Sequence, residues 1–285
     1  MIRNSSKFSV ELWRGNSLTD IRTRLSSIQC FLMDMDGTIY LGDQLLPGAG
    51  DWLSVLKKRQ ISYYFLTNNS SRSRIEYAEK LHRLGLDIPE DRIFTSGEAA
   101  AITLQTDYPQ ASLYVVGTQP LVETFKRYGF TLENTDPDVV VLGFDTTLTY
   151  EKLWKLCDQV VMGKPYIATH PDINCPTENG FKPDIGAMIA LVAASTGRKP
   201  DMIIGKPYLP MVNAIAEKSG FPIEAHCMIG DRLYTDIALG KWGITTVLVL
   251  SGETKPHDLS ESEFEPDFVV SNIAAMAELL GSSGD

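Results

Sequence analysis

The sequence reads as an α/β protein built on a parallel sheet. Three observations predict it: short apolar runs rich in β-branched and aromatic residues, helical periodicity between them, and polar residues directly after several of the runs. The run through Cys30, Phe31, Leu32 and Met33 ends in Asp34-Met35-Asp36-Gly37-Thr38, so it predicts a buried central strand stopped by a turn. If the extended backbone persists through the strand end, Asp34 and Asp36 face one space, because residues i and i+2 of a strand point the same way. Two carboxylates held that close repel unless a cation or a proton relieves them.

The remaining elements follow in order. Before the first strand, residues 1–26 are mixed and polar, with a leading helix expected over Glu11 to Leu25. A helix is predicted from Gly50 to Lys58, a second buried strand from Ile61 to Thr67, a helix from Ser73 to Gly85, a short strand at Ile93 to Ser96 and a helix from Gly97 to Thr106. A second cycle has strands at Ser112 to Val116, Val139 to Gly143 and Pro165 to Thr169, with helices at Pro120 to Tyr128 and Tyr150 to Met162. Prolines and glycines over His170 to Gly186 predict a long loop, of the kind that often carries function. A helix over Ile185 to Thr196 follows. Strands at Met202 to Ile204, Ala225 to Ile229 and Thr245 to Leu250 alternate with helices at Leu209 to Ser219 and Thr235 to Trp242. Val269-Val270 is expected as an edge strand, Ile273 to Leu280 as a closing helix, and Gly-Ser-Ser-Gly-Asp as a frayed end. The expected organisation is an N-terminal extension over 1–26, a core from 27–104 and 201–285, and an inserted α/β cap over 105–200.

Composition narrows the function. Hydrophobic residues at 44% and charged ones at 22% suit a globular chain with a substantial core. With 26 basic and 36 acidic residues the net charge is −10, which argues against a nucleic-acid surface. No apolar run approaches the length of a membrane span, and the opening residues lack a signal-peptide core, so a soluble, cytoplasmic protein is expected. Cys30, Cys157, Cys175 and Cys227 are widely spaced and read as reduced thiols.

Ligands of open parallel sheets bind at the carboxyl ends of the strands, and four predicted ends carry polar groups. These are Asp34 and Asp36; Thr67 and Asn68; Lys206 in Gly205-Lys206-Pro207; and Asp231 in Gly230-Asp231-Arg232-Leu233-Tyr234-Thr235-Asp236. Alone, each has a plain reading: a turn, a strand-end hydroxyl, a solvated lysine, a helix cap. Together, acids, a hydroxyl, an amide and a lysine are the groups that hold a phosphate beside a hard cation such as Mg²⁺.

These residues resemble the haloacid dehalogenase-like superfamily of phosphohydrolases, in its NagD-like and p-nitrophenylphosphatase-like branch. Asp34-Met35-Asp36-Gly37-Thr38 looks like the first motif of that superfamily, Thr67 the second, Lys206 the third, and Gly230-Asp231 with Asp236 the fourth. Thr67-Asn68-Asn69-Ser70 and Leu46-Pro47-Gly48-Ala49 suggest the branch, and the likeness spans about residues 28 to 275.

The resemblance implies a Rossmann-like core with an inserted α/β cap, and a Mg²⁺-dependent phosphatase of small phosphomonoesters. Asp34 would be the nucleophile that forms an aspartyl-phosphate, and Asp36 the general acid and base. Mg²⁺ would be held by Asp34, the Asp36 main-chain carbonyl and Asp231, with Asp236 orienting a metal-bound water or Lys206. Lys206 would neutralise Asp34 and the phosphoryl oxygens, Thr67 would bind the phosphoryl group, and Asn68 would touch the phosphate or position Asp36. The loop Thr169-His170-Pro171-Asp172-Ile173-Asn174-Cys175-Pro176 resembles the cap loop that faces substrate, which makes His170 and Asp172 substrate-binding candidates. Two features depart from the family: His170 stands where asparagine is common, and Pro183-Asp184-Ile185-Gly186 is less glycine-rich. The expected partner is a small phosphorylated metabolite, with neither nucleic acid nor membrane, and caps of this branch can support a homodimer. Two other readings use the same residues: a phosphotransferase or phosphomutase working through the same aspartyl-phosphate, and a non-catalytic phosphate-binding module.

Overall fold

The structure, a computed structural model, describes residues 10–11, 18–177 and 180–281. The first strands are β1 (Val10–Glu11), β2 (Cys30–Met33), β3 (Tyr40–Leu41), β4 (Gln44–Leu45), β5 (Ser62–Thr67), β6 (Ile93–Thr95), β7 (Ser112–Val116) and β8 (Thr131–Leu132). They are followed by β9 (Val139–Leu142), β10 (Tyr166–Ala168), β11 (Asn174–Thr177), β12 (Gly180–Pro183), β13 (Met202–Ile203), β14 (His226–Gly230), β15 (Thr245–Val249) and β16 (Phe268–Val270). The helices are α1 (Leu18–Ser26), α2 (Ala49–Lys58), α3 (Arg74–Arg83), α4 (Ser96–Asp107), α5 (Gln119–Arg127), α6 (Tyr150–Val161), α7 (Ile185–Thr196), α8 (Leu209–Ser219) and α9 (Ile273–Gly281). Of the frayed end expected over residues 281–285, Gly281 instead closes α9, and the rest, like much of the N-terminal stretch, lies outside the described residues.

Two compact units divide the chain: Met1–Leu66, Leu81–Ile88 and Ala216–Asp285 form one, and Thr67–Lys80 and Pro89–Ile215 the other. In the first unit β16, β15, β14, β2 and β5 run parallel in that order, and β1 pairs antiparallel along β16. Val269-Val270 is therefore not at the edge, because β1 covers it. Every residue of β2 and β14 is buried, as expected of strands covered on both faces. The Phe31 and Trp52 rings meet edge to face at 5.0 Å, and Trp52 Nε1–H donates to Met33 Sδ at 3.2 Å, which ties α2 to the strand that leads to Asp34. Within the expected N-terminal extension, Ile21 and Leu25 of α1 are buried, and this helix packs on α9. The helix expected at Thr235 to Trp242 is instead a 3-10 stretch over Ile237–Trp242, ended by Gly243 in the left-handed region.

In the second unit β13, β10, β9, β7 and β8 make a wholly parallel sheet. Its core gathers Val116, Leu142, Phe144, Leu156, Tyr166 and Val192. Met202-Ile203 was expected among the core strands, but it pairs with Ile167-Ala168 of β10 and extends this second sheet. Likewise α4 packs on α5. These two pairings put the observed division at other places than residues 104/105 and 200/201. The long loop expected over His170 to Gly186 contains the hairpin β11–β12, with Asn174 opposite Pro183 and Thr177 opposite Gly180. Its strands are largely exposed, and prolines are tolerated there because the outer edges of a two-stranded ribbon need no ladder partner.

Candidate active site

Met33 lies opposite Ile229 in the β2–β14 register, so Asp34 and Asp231 leave the first unit's sheet from neighbouring strand ends. The Asp34 backbone N–H still donates to Ile229 O at 2.9 Å, and then the chain turns sharply. Thr38, Ile39 and Tyr40 all donate backbone N–H groups to Met35 O. The extended backbone thus stops before Asp36, and the two acids are unlike: Asp34 is half-buried, whereas Asp36 is exposed.

Asp34 is instead grouped with Asp231 and Asp236, whose carboxylate oxygens lie within 4.8 Å of one another. Asp231 is 2% exposed and Asp236 0%. One Asp231 oxygen, Oδ2, accepts the Glu253 backbone N–H at 2.7 Å, while Oδ1 is buried and accepts no hydrogen bond from the described residues. Asp236 Oδ2 accepts the Arg232 backbone N–H at 3.1 Å. Burial, then the Asp34 and Asp236 charges, push the Asp231 carboxyl up to about 8. Burial works against the Arg232 charge, but Asp34, Asp231, Tyr234 and Asp236 raise its pKa further, and its guanidinium pairs with Glu253 at 3.0 Å.

Packing fixes this cluster tightly. Gly37 has φ +82°, and a Cβ there would stand 2.3 Å from Asp231 Oδ2; at Gly252 the same atom would be 2.0 Å away. Only hydrogen fits at either place. Three carboxylates sharing so small a volume, with one orphaned buried oxygen, fit a hard divalent cation with oxygen ligands. Asp36 can join such a set only through its main chain if its side chain stays in solvent.

The second unit carries the other strand-end residues. Thr67 ends β5, and its Oγ1 accepts the Asn69 backbone N–H at 3.2 Å. Asn68 is 5% exposed and uses both ends of its amide. Its Oδ1 accepts the Lys206 backbone N–H at 2.7 Å, and its Nδ2 donates to Lys206 O and to Asp172 Oδ1, each at 3.0 Å. Ser96 Oγ donates to Asn68 O. Asn68, Asp172 and Lys206, far apart in sequence, are thereby one hydrogen-bonded group, and Lys206 is only 3% exposed.

His170 differs from its sequence-based expectation. Its ring is 0% exposed, Nε2 lies 3.0 Å from Asp184 Oδ1, and Nδ1 faces Thr169 Oγ1 at 3.3 Å and Ser96 Oγ at 3.4 Å. Its ring nitrogens are thus turned to buried protein groups rather than to solvent. Arg232, Ser96 and Asp184 were not singled out from the sequence. Arg232 follows Asp231 directly and Ser96 ends a predicted strand, so position was the available signal for both; Asp184 gave only the motif departure.

Comparison with known proteins identifies the family. A family described as haloacid dehalogenase-like hydrolase matches residues 31–131, and a second, described as HAD-hydrolase-like, matches residues 203–276. A dihydroxyacetone phosphatase of Corynebacterium glutamicum is 34% identical over 249 residues, covering 87% of this chain and 90% of its own. Among solved structures, a 4-nitrophenylphosphatase from Thermotoga maritima is 48% identical with a TM-score of 0.86, covering 90% of this chain and 98% of its own. A glycerol phosphate phosphatase from Mycobacterium tuberculosis, in complex with calcium, is 30% identical with a TM-score of 0.82, covering 89% and 76%. With relatives of this identity along most of its length, the chain belongs to the haloacid dehalogenase-like hydrolases, among the phosphatases of the NagD-like and p-nitrophenylphosphatase-like branch, on a Rossmann-like core with an additional α/β domain.

Proposed function

We propose that the chain hydrolyses small phosphomonoesters through an aspartyl-phosphate on Asp34, with Mg²⁺ as its metal. The observation that carries this reading is the Asp34–Asp231–Asp236 cluster with its orphaned Asp231 oxygen. Asp34 and Asp231 would hold the ion, with the main-chain carbonyl of Asp36, and Asp236 would brace them. When bound, the ion would offset the charge of nucleophile and phosphate so that they can approach.

The steps then fall to the protein's own groups. Asp34 attacks phosphorus and displaces the leaving oxygen, forming an acyl phosphate. The exposed Asp36 side chain gives that oxygen a proton, then takes one from the water that hydrolyses the acyl phosphate, which restores Asp34. Lys206 and the Thr67 hydroxyl counter the phosphoryl charge, and Asn68 bonds both the N–H and the carbonyl of the Lys206 backbone. Asp172, held by Asn68, is assigned to orienting the substrate or its loop. His170 is reassigned from substrate contact to support of that loop.

The substrates would be small phosphorylated metabolites such as sugar phosphates or glycerol phosphate, met in the cytoplasm. The second unit also exposes Tyr150, Trp154 and Val161, spaced along one face of α6, with Met162 just beyond. That apolar stripe supports a homodimer formed through this unit, which light scattering would resolve as twice the chain mass.

The test is turnover of p-nitrophenyl phosphate and of a metabolite-phosphate panel with Mg²⁺ and with EDTA. Free phosphate should be the main product, and transfer to a second hydroxyl would favour a phosphotransferase instead. Asp34→Asn should reduce kcat by at least about a thousandfold, since it removes the nucleophile. Unchanged turnover in that variant would end the catalytic reading.

A further inference from the structure

We infer that His170 and Asp184 form a buried lock that positions the Lys206 backbone, so both are positioning residues for the proposed phosphatase reaction, on which this inference rests. The observations are geometric. His170, Asp184, Thr169, Ser70 and Ser96 are each at most 3% exposed, yet their polar atoms connect into one chain. A carboxylate only accepts, so in the 3.0 Å contact His170 Nε2–H donates to Asp184 Oδ1. In the neutral imidazole Nδ1 is then an acceptor for the Thr169 hydroxyl at 3.3 Å. Thr169 Oγ1 in turn accepts the Ser70 hydroxyl at 2.9 Å, and Ser70 Oγ accepts the Phe144 backbone N–H at 2.9 Å. Each hydroxyl in that series gives once and receives once, so a single direction satisfies it. Ser96 spends its proton on Asn68 O and leaves the imidazole to the others.

This lock stands against the backbone that carries the lysine. Gly205 N–H donates to Thr169 O at 2.8 Å. A Cβ at Gly205 would be 2.6 Å from Asn68 Oδ1, 2.6 Å from His170 Cβ and 2.9 Å from Thr169 O. The Gly205-Lys206 backbone thus runs through a slot whose walls are Asn68 on one side and Thr169-His170 on the other. Asn68 sets one wall by accepting the Lys206 N–H; the His170–Asp184 contact sets the other. At its far end Asp184 Oδ1 also accepts the Ile185 N–H at 2.7 Å as the N-cap of α7, and the Asp184 N–H donates to Ile173 O at 2.8 Å. The wall is therefore anchored to a helix rather than to a free loop. A lysine that must neutralise a phosphoryl oxygen loses effect with displacements of about 1 Å, so the slot is a device for placing its charge.

Capping and positioning can be separated at one residue. Asp184→Ser keeps a good N-cap for α7 but is too short to reach His170. Asp184→Asn keeps both the cap and an acceptor for Nε2–H. With the full chain, kcat and KM on p-nitrophenyl phosphate, thermal midpoint, and hydrogen exchange of the Lys206 backbone amide are measured for both variants and for His170→Ala. Asp184→Ser should lower kcat by about tenfold or more with KM within about threefold, at a midpoint within a few degrees of the parent. Its Lys206 amide should exchange at least about tenfold faster, because the slot wall has loosened. Asp184→Asn should keep at least about half of kcat and parental exchange, and His170→Ala should follow the serine variant. The inference is overturned if Asp184→Ser keeps parental kcat and Lys206 exchange, or if Asp184→Asn is as defective as Asp184→Ser. Absence of turnover in the parent protein would instead count against the phosphatase reading, and the Lys206 exchange rates would still decide the lock.

Discussion

Asp34 and Asp36 are chemically identical and one residue apart, and their surroundings separate them. A continued strand would have put both side chains in one space, but the turn onto Met35 O begins between them and sends Asp36 to solvent. Gly37 is what permits that turn, and it also permits Asp231 to sit where it does. Alanine at this position would need φ +82°, and its Cβ would meet Asp231 Oδ2 at 2.3 Å. Gly252 crowds the same Asp231 oxygen, where a Cβ would stand 2.0 Å away. Gly37→Ala should therefore cost roughly 1 to 3 kcal/mol of stability and weaken Mg²⁺ binding by about 10- to 100-fold through displaced ligands. Calorimetric titration with Mg²⁺ beside a urea melt checks both, and an unaltered titration would mean that Asp231 does not hold the metal. Much of this was legible in the sequence, because acids and glycines stand at the ends of apolar runs. The crowding was not, since Gly252 approaches Asp231 only after the chain has folded.

At the scale of elements, long periodic segments were readable and two-residue ones were not. α6, α7 and α8 follow their apolar spacing to within a residue or two of expectation, and so do β2, β7 and β15. β13 could not be assigned to its sheet from residues 202 and 203, because the register opposite Ile167-Ala168 decides it. The β11–β12 hairpin was hidden by prolines and glycines that fit a loop equally well. The N-terminal segment carries the clearest mechanical consequence. Leu25 is 0% exposed and Ile21 1%, on a helix packed against α9, although a mixed polar composition hid that role. Leu25→Ala should destabilise the protein by about 2 to 4 kcal/mol, the cost of an emptied core site. Urea midpoints read this directly, and the folded variant should keep its kcat, since α1 holds none of the residues given a chemical role. The two departures from the family pattern, His170 and Asp184, also proved to be partners at 3.0 Å, a pairing that sequence spacing alone does not disclose.

For the whole molecule, the charge pattern makes a statement about pH. Asp231 is raised from 3.8 to about 8 by burial and by Asp34 and Asp236, so ionising it is costlier in the folded chain than in the unfolded one. That cost is absent below pH 4, grows as pH rises from 4 to 8 and is complete above 8. His226 works the other way: burial lowers its pKa below 6.5, so the stability it contributes is present above 6.5 and lost as pH falls. Its Nε2 and Nδ1 are engaged with Ser219 and the Pro222 carbonyl, which suits a neutral ring. The metal-free protein should therefore weaken on both sides, and only the alkaline limb should respond to a divalent cation, whose charge offsets the ionised Asp231. In EDTA the thermal midpoint should fall by at least about 3 °C between pH 6 and pH 8.5. Millimolar Mg²⁺ should remove that fall and leave the acid limb unchanged. Asp231→Asn should remove it without metal, at the cost of the Mg²⁺ response. A metal-free protein equally stable at both pH values would show that the carboxylate cluster is not strained by its own charge, and the electrostatic case for a resident cation would fail with it.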